Sequence, residues 1–181
     1  MKKYIFLLFV FTSFIAQSQF GNQGMRGQRQ RQIPQTQQQA PKPNFQVERY
    51  LGIVIYDDIK KAAKKSSIKL SSEEGKKFSS ILTAYNKQVK DIRRINSFTL
   101  KSTKEMVENF QKNATKTGDF SKQLEVQKTM AENLKPIAET LKVEDLKLVK
   151  SLKSILSKKQ YKKWIKYNRK RYKVFPKEEK K

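Results

Sequence analysis

From Phe120 to Ile155, mostly apolar or small residues return in alternating steps of four and three: Phe120, Leu124, Gln127, Ala131, Leu134, Ala138, Leu141, Asp145, Leu148, Leu152 and Ile155. A strand, with its period of two, cannot keep such a set on one face, whereas a helix with 3.6 residues per turn can. The stripe therefore predicts a long amphipathic helix of heptad type. If unbroken it would run about 54 Å at 1.5 Å per residue. Gly118 suits the C-terminus of a preceding helix, and Asp119 suits the N-cap of this one. Pro136 lacks a backbone N–H and crowds the turn before it, so a kink near Asn133 to Leu134 is expected, with two shorter helices as the alternative. Gln127 and Asp145 interrupt the stripe, which would close an intramolecular bundle or a homodimer equally well.

The flanking segments carry helix signals of their own. Ser71 followed by Glu74 fits a capping box, in which each side chain accepts a terminal backbone N–H. Phe78, Ile81, Leu82, Tyr85, Val89 and Ile92 then follow at helical spacing. A looser stretch at Ser97 to Ser102 is expected to bend the chain before Met106, Val107 and Phe110 resume the pattern. Ser157 with Gln160 makes a second capping box, and Leu156 with Tyr161 has the spacing of a hydrophobic staple. Trp164, Ile165 and Tyr172 are the candidates for the buried side of this last helix. Nearer the N-terminus, Val47 to Ile55 favours a helix, and Asp57 or Asp58 caps a short one ending at Ser66 and Ser67. The expected fold class is all-α: an open antiparallel hairpin or bundle of about four helices, over residues 45–174, with a long kinked central helix.

Residues 1–18 have the layout of a leader: Lys2 and Lys3, an apolar run from Tyr4 through Ala16, then Ala16-Gln17-Ser18, with cleavage expected after Ser18. The run falls short of the roughly 20 apolar residues that span a bilayer, so cleavage is favoured over an uncleaved anchor. No cysteine follows it, which excludes lipoprotein attachment. Residues 19–44 turn to Gln, Arg, Gly and Pro, a composition that cannot build a core. They are expected to form a disordered linker or, through Arg26, Arg29 and Arg31, an electrostatic tether to an anionic surface. Residues 175–181 form a charged tail.

The chain has neither cysteine nor histidine, which removes disulfides, thiol nucleophiles and the usual ligands of zinc and copper. With 41 basic and 16 acidic residues the formal charge is +25. Loss of Lys2 and Lys3 with a leader leaves +23, which implies polyanionic partners or surroundings. Lys158 to Lys173 holds nine Lys or Arg and no acid, the densest positive run. The carboxylate pairs Asp57-Asp58, Glu73-Glu74 and Glu144-Asp145 point in different directions on a helix and read as caps and solvated groups. No enzyme, cofactor or metal is expected, weak calcium binding alone being left open.

Leu156-Ser157-Lys158-Lys159-Gln160 resembles the Leu-Thr-x-x-Gln signature of the Spy/CpxP family of periplasmic helical proteins. Leu70-Ser71-Ser72-Glu73-Glu74 stands where that family has its first copy, with Glu74 in place of Gln. The resemblance covers roughly Leu70 to Lys173 and implies a periplasmic, ATP-independent chaperone (a holdase), forming a thin curved antiparallel dimer. Client-binding candidates are Lys76, Lys77, Lys87, Lys90, Arg93 and Arg94 with Phe98 and Phe110. Lys162, Lys163, Lys166, Arg169 and Lys170 add an anion-binding face. Cationic and apolar groups together suit unfolded or nascent envelope proteins, which expose apolar side chains beside acidic patches.

Two other readings share the same location. One is an envelope-stress adaptor resembling CpxP, docking on an acidic sensor or membrane complex. The other is a binder of anionic lipid or lipopolysaccharide through the last helix. Nucleic acid fits the charge, and Tyr161, Trp164, Tyr167 and Tyr172 superficially suit stacking. Export argues against it, and the staple and core explain Tyr161 and Trp164 more economically.

Overall fold

The computed structural model describes residues 43–176, so the leader 1–18, most of the linker and the end of the tail lie outside the described residues. Six helices and no strand form among them: α1 (Val47–Tyr50), α2 (Ile59–Ser66), α3 (Glu73–Ile95), α4 (Ser97–Thr117), α5 (Gln123–Ile155) and α6 (Lys158–Arg169). The all-α expectation holds. The two short helices α1 and α2 raise the count above the four expected.

The helix foretold by the heptad stripe is α5, 33 residues that pass through Pro136 without ending. It runs antiparallel to α3 and α4 together. Tyr85 of α3 meets Asp145, and Thr103 of α4 meets Asn133, so rising numbers on one arm face falling numbers on the other. The hairpin turns at Gly118, whose φ of 75° is left-handed backbone that glycine adopts without a Cβ clash. Facing rows bury Phe78, Leu82, Val89, Leu100 and Val107 against Met130, Leu134, Ile137, Leu141, Leu148 and Leu152. Each such side chain contributes roughly 1.5–3 kcal/mol by leaving water.

The stripe is shorter than its spacing suggests. Phe120 and Leu124 are exposed, as is Ala138, while Met130, Ile137 and Val149 widen the buried face further along. Asp119 does not cap α5. Its carboxylate accepts from Ser121 N at 2.9 Å and closes a turn, so the helix begins at Gln123 with no side-chain cap. At this tip α4 has already ended, leaving Phe120 no facing row.

The bend expected near Ser97 falls at Asn96, between α3 and α4. Asn96 Nδ2 donates to Ile92 O at 2.8 Å and competes for a carbonyl of the helical ladder. The N-terminal segment docks on both helices: Phe45 N donates to Glu108 Oε1 of α4 at 2.9 Å, and Glu48 of α1 accepts from Arg93 Nε of α3 at 2.9 Å.

The N-cap of α3 is Ser72, not Ser71. Ser72 Oγ accepts from Gly75 N at 3.1 Å and donates to Lys69 O at 2.7 Å. The position opposite this cap is Gly75, which has no side chain to return the bond, so no capping box forms and Glu74 Oε1 is buried without a hydrogen-bond partner. The physical reason is the chain's return over the helix start: a Cβ at Gly75 would stand 2.0 Å from Lys69 O. The second motif forms as its spacing predicts. Ser157 N donates to Gln160 Oε1 at 2.8 Å and Gln160 N to Ser157 Oγ at 3.3 Å.

Val47 to Ile55 is only briefly helical, because Gly52, with φ 65°, ends the turn and the β-branched residues Ile53, Val54 and Ile55 follow without regular secondary structure. Asn86 pins that segment, accepting from Tyr56 N at 2.8 Å and donating to Tyr56 O at 3.0 Å. Asp58 caps α2 by accepting from Lys61 N, and Ser67 ends it in left-handed backbone. α2 and α6 then pack together around Trp164 at the end of the hairpin opposite the Gly118 turn. Tyr56 lies 5.0 Å from its ring and Phe78 meets it edge-on at 5.6 Å. Ile165 is half-buried and Tyr172 is exposed, its ring covered on one face by the Arg49 guanidinium. The chain's turn at Tyr172 buries Lys173 in its place.

Candidate functional site

Helical spacing divides the α3 cations. Lys76, Lys87, Lys90 and Arg94 lie in one exposed stripe with Ser80 and Thr83, opposite the buried row Phe78, Leu82, Tyr85, Val89 and Ile92. Lys76 and Lys87 border an open groove of about 620 Å³ with Leu70, Ser79 and Ala84 in its wall. Lys77 and Arg93 fall off this stripe. Lys77 pairs with Glu73 at 2.7 Å, and Arg93 is committed to Glu48. Arg94 reaches Asp91 at 3.3 Å, a water-exposed pair of small energetic consequence.

Two large apolar side chains stand uncovered beside the end of the stripe: Ile95, which shares the Lys77 side of α3, is 72% exposed and Phe98 82% exposed, one on each side of the Asn96 bend. Phe110, expected to join Phe98, does not. It is half-buried between the core positions Val107 and Ala114, twelve residues or about 18 Å along α4 from Phe98.

At the end opposite the Gly118 turn the α6 cations also divide. Lys163, Lys166 and Lys170 converge with Lys65, Arg171 and Tyr167 around a pocket of about 260 Å³, whereas Lys162 and Arg169 are exposed but do not line it. Lys163 Nζ donates to Ser67 Oγ at 2.6 Å, and Arg171 Nη2 to Ile55 O at 3.0 Å. Arg171 also lies over the rings of Tyr56 and Tyr167, 5.3 and 5.8 Å from their centroids. Sequence reasoning missed Lys65, which reaches the pocket only because α2 packs on α6. Arg171 was visible in the basic run but looked like one lysine-like charge among nine.

A buried polar network joins the two ends of the last hundred residues. Asp145, expected to be solvated, is buried. Its Oδ1 accepts from the Tyr85 hydroxyl at 2.8 Å and its Oδ2 from Lys173 Nζ at 2.6 Å. Burial pushes the Asp145 carboxyl above its ordinary range against the opposing pull of Lys173, and burial likewise lowers the Lys173 ammonium. Burial and then the adjacent Asp145 charge raise Tyr85, so its hydroxyl stays protonated and donates. Tyr56 is raised by burial too, and donates to Asn168 Oδ1 at 2.5 Å. These groups lock the core. None of them lines either of the two pockets described above.

Among the described residues no helix is long and apolar enough to cross a membrane, and no group of three acids is placed to hold a metal ion. Comparison with protein-family models, with curated proteins and with solved structures finds no match to this chain.

Proposed function

We propose that the chain is an exported, ATP-independent holdase of the cell envelope, Spy/CpxP-like in character, which captures unfolded or nascent envelope proteins on the outer face of α3 and α4. The observation that supports this reading is the exposure of Ile95 and Phe98, left in water beside the end of a cationic stripe. Lys76, Lys87, Lys90 and Arg94 attract acidic segments at a distance, and the attraction falls as salt screens it. Ile95 and Phe98 then bury against the client's apolar side chains, each contributing roughly 2 kcal/mol. Two anchors of that size hold a client weakly enough to release it without nucleotide.

The test uses residues 19–181, the form expected after leader removal. Substoichiometric amounts should suppress aggregation of several unrelated denatured proteins without nucleotide. Suppression should weaken in Ile95→Ser/Phe98→Ser and in high salt. An absence of suppression sinks the reading, and if one envelope protein binds tightly instead, the adaptor reading replaces it.

A further inference from the structure

The pocket between α2 and α6 has a composition that the holdase reading does not use. It is lined by Lys65, Lys163, Lys166, Lys170, Arg171 and Tyr167, with no carboxylate in the lining. None of its five cations forms an ion pair among the described residues. Holding five like charges around about 260 Å³ costs repulsion that an ordinary solvated helix face avoids by dispersing them. The fold nevertheless fixes two of them in place, since Lys163 is tied to Ser67 and Arg171 to the Ile55 carbonyl, contacts that span about a hundred residues of sequence.

The geometry points to a binding site for a phosphate-bearing anion, as a phosphomonoester or a diphosphate. Charge and shape select this class. A phosphomonoester carries between one and two negative charges near neutral pH and three acceptor oxygens, which meet ammonium groups arriving from several directions. A lone carboxylate is best read by the planar fork of an arginine, and the Arg171 fork is already engaged with Ile55 O and two aromatic rings. Volume selects too. At about 260 Å³ the pocket is slightly below the roughly 300–1,000 Å³ of sites for drug-sized ligands, so it takes a headgroup or small ion rather than a folded partner. The Tyr167 ring and the lysine stems offer an apolar wall to whatever carries the phosphate.

A lipid headgroup and a soluble phosphate share this chemistry, and two probes separate them. The protein produced from the full chain is titrated calorimetrically with inorganic pyrophosphate, with acetate as the control anion. It is also floated with vesicles of phosphatidylcholine containing phosphatidic acid. Binding to pyrophosphate alone assigns a soluble ligand, and flotation alone assigns a lipid headgroup. In either case Lys163→Gln/Lys166→Gln/Lys170→Gln should weaken binding by about tenfold or more. Lys135→Gln/Lys142→Gln/Lys150→Gln, which removes the same charge from α5, should leave it unchanged. Circular dichroism checks that both variants keep their helix content. A readout without variants is the acetylation rate of wild-type lysines: the bound probe should slow it at Lys163, Lys166 and Lys170 but not at Lys142. Equal loss in both triple variants, or no binding to either probe, overturns the assignment.

Discussion

Lys173 Nζ lies 2.6 Å from Asp145 Oδ2 with its side chain only 1% exposed, so the segment that follows α6 is plugged into the helical hairpin by a buried ion pair. Taking both charges out of water is costly, and their attraction offsets that cost only while both are present. Lys173→Met leaves the carboxylate stranded and should destabilise the fold by about 3–5 kcal/mol, as should Asp145→Leu. Replacing both, with Tyr85→Phe to remove the hydroxyl that would lose its acceptor, should restore most of that loss. Urea denaturation of the four proteins measures it. Single variants within about 1 kcal/mol of wild type would mean that the pair is not desolvated as the structure has it.

The same pair predicts how stability follows pH. Burial raises Asp145 above its ordinary value of 3.8, so the folded state binds a proton there more readily than the unfolded chain. Its contribution is present at low pH and declines as pH rises from about 4 through the folded value. Burial lowers Lys173 from its ordinary 10.5, so the unfolded chain holds that proton longer. Its contribution improves as pH rises from the lowered value toward about 10.5. Melting temperatures of wild type minus those of Asp145→Asn/Lys173→Met should therefore fall across the acid limb and rise across the alkaline limb. A difference that increases steadily from pH 4 to 7 contradicts the direction of the Asp145 shift.

The parts of the fold set by local chemistry were legible in the sequence, and the parts set by packing were not. Asp58, Gly118 and the Ser157-Gln160 box act within a few residues of themselves, and each stands where spacing put it. The stripe of α5 identified Leu134, Leu141, Leu148 and Leu152 as core. Its interruption at Asp145 looked like a solvated defect because the partner that neutralises it, Lys173, arrives from another element. The candidate site followed the same division. Helical spacing placed Lys76, Lys87, Lys90 and Arg94 on one face, but the commitment of Arg93 to Glu48 and the entry of Lys65 into the α6 pocket depend on how α1 and α2 dock.

Gly75 illustrates a packing constraint that outweighs propensity. Glycine inside a helix costs about 1 kcal/mol relative to alanine, so Gly75→Ala would stabilise an unencumbered helix. Here the new Cβ would stand 2.0 Å from Lys69 O and 2.6 Å from Leu70 Cα, both backbone atoms that cannot swing aside. Gly75→Ala should therefore destabilise the protein by at least about 2 kcal/mol, read by chemical denaturation. A stabilised variant would show that the Lys69–Ser72 segment does not fold back over the start of α3.

The two cap serines, Ser72 and Ser157, and the neighbouring Ser71 offer a graded test of where the helices begin. Ser157 anchors a reciprocal box, and Ser157→Ala removes the acceptor for Gln160 N while leaving the Gln160 side chain to hold the backbone alone. Ser72 serves Gly75 N singly, with its hydroxyl also tied to Lys69 O. Each alanine variant should cost about 1 kcal/mol, the usual worth of a serine N-cap. Ser71 is exposed and caps nothing, so Ser71→Ala should change stability by no more than about 0.5 kcal/mol, although Ser71 and not Ser72 occupies the motif position. Thermal melts of the three variants side by side decide between the two registers. If Ser71→Ala were costly and Ser72→Ala silent, α3 would begin one residue earlier, and Glu74 would close a box as Gln160 does.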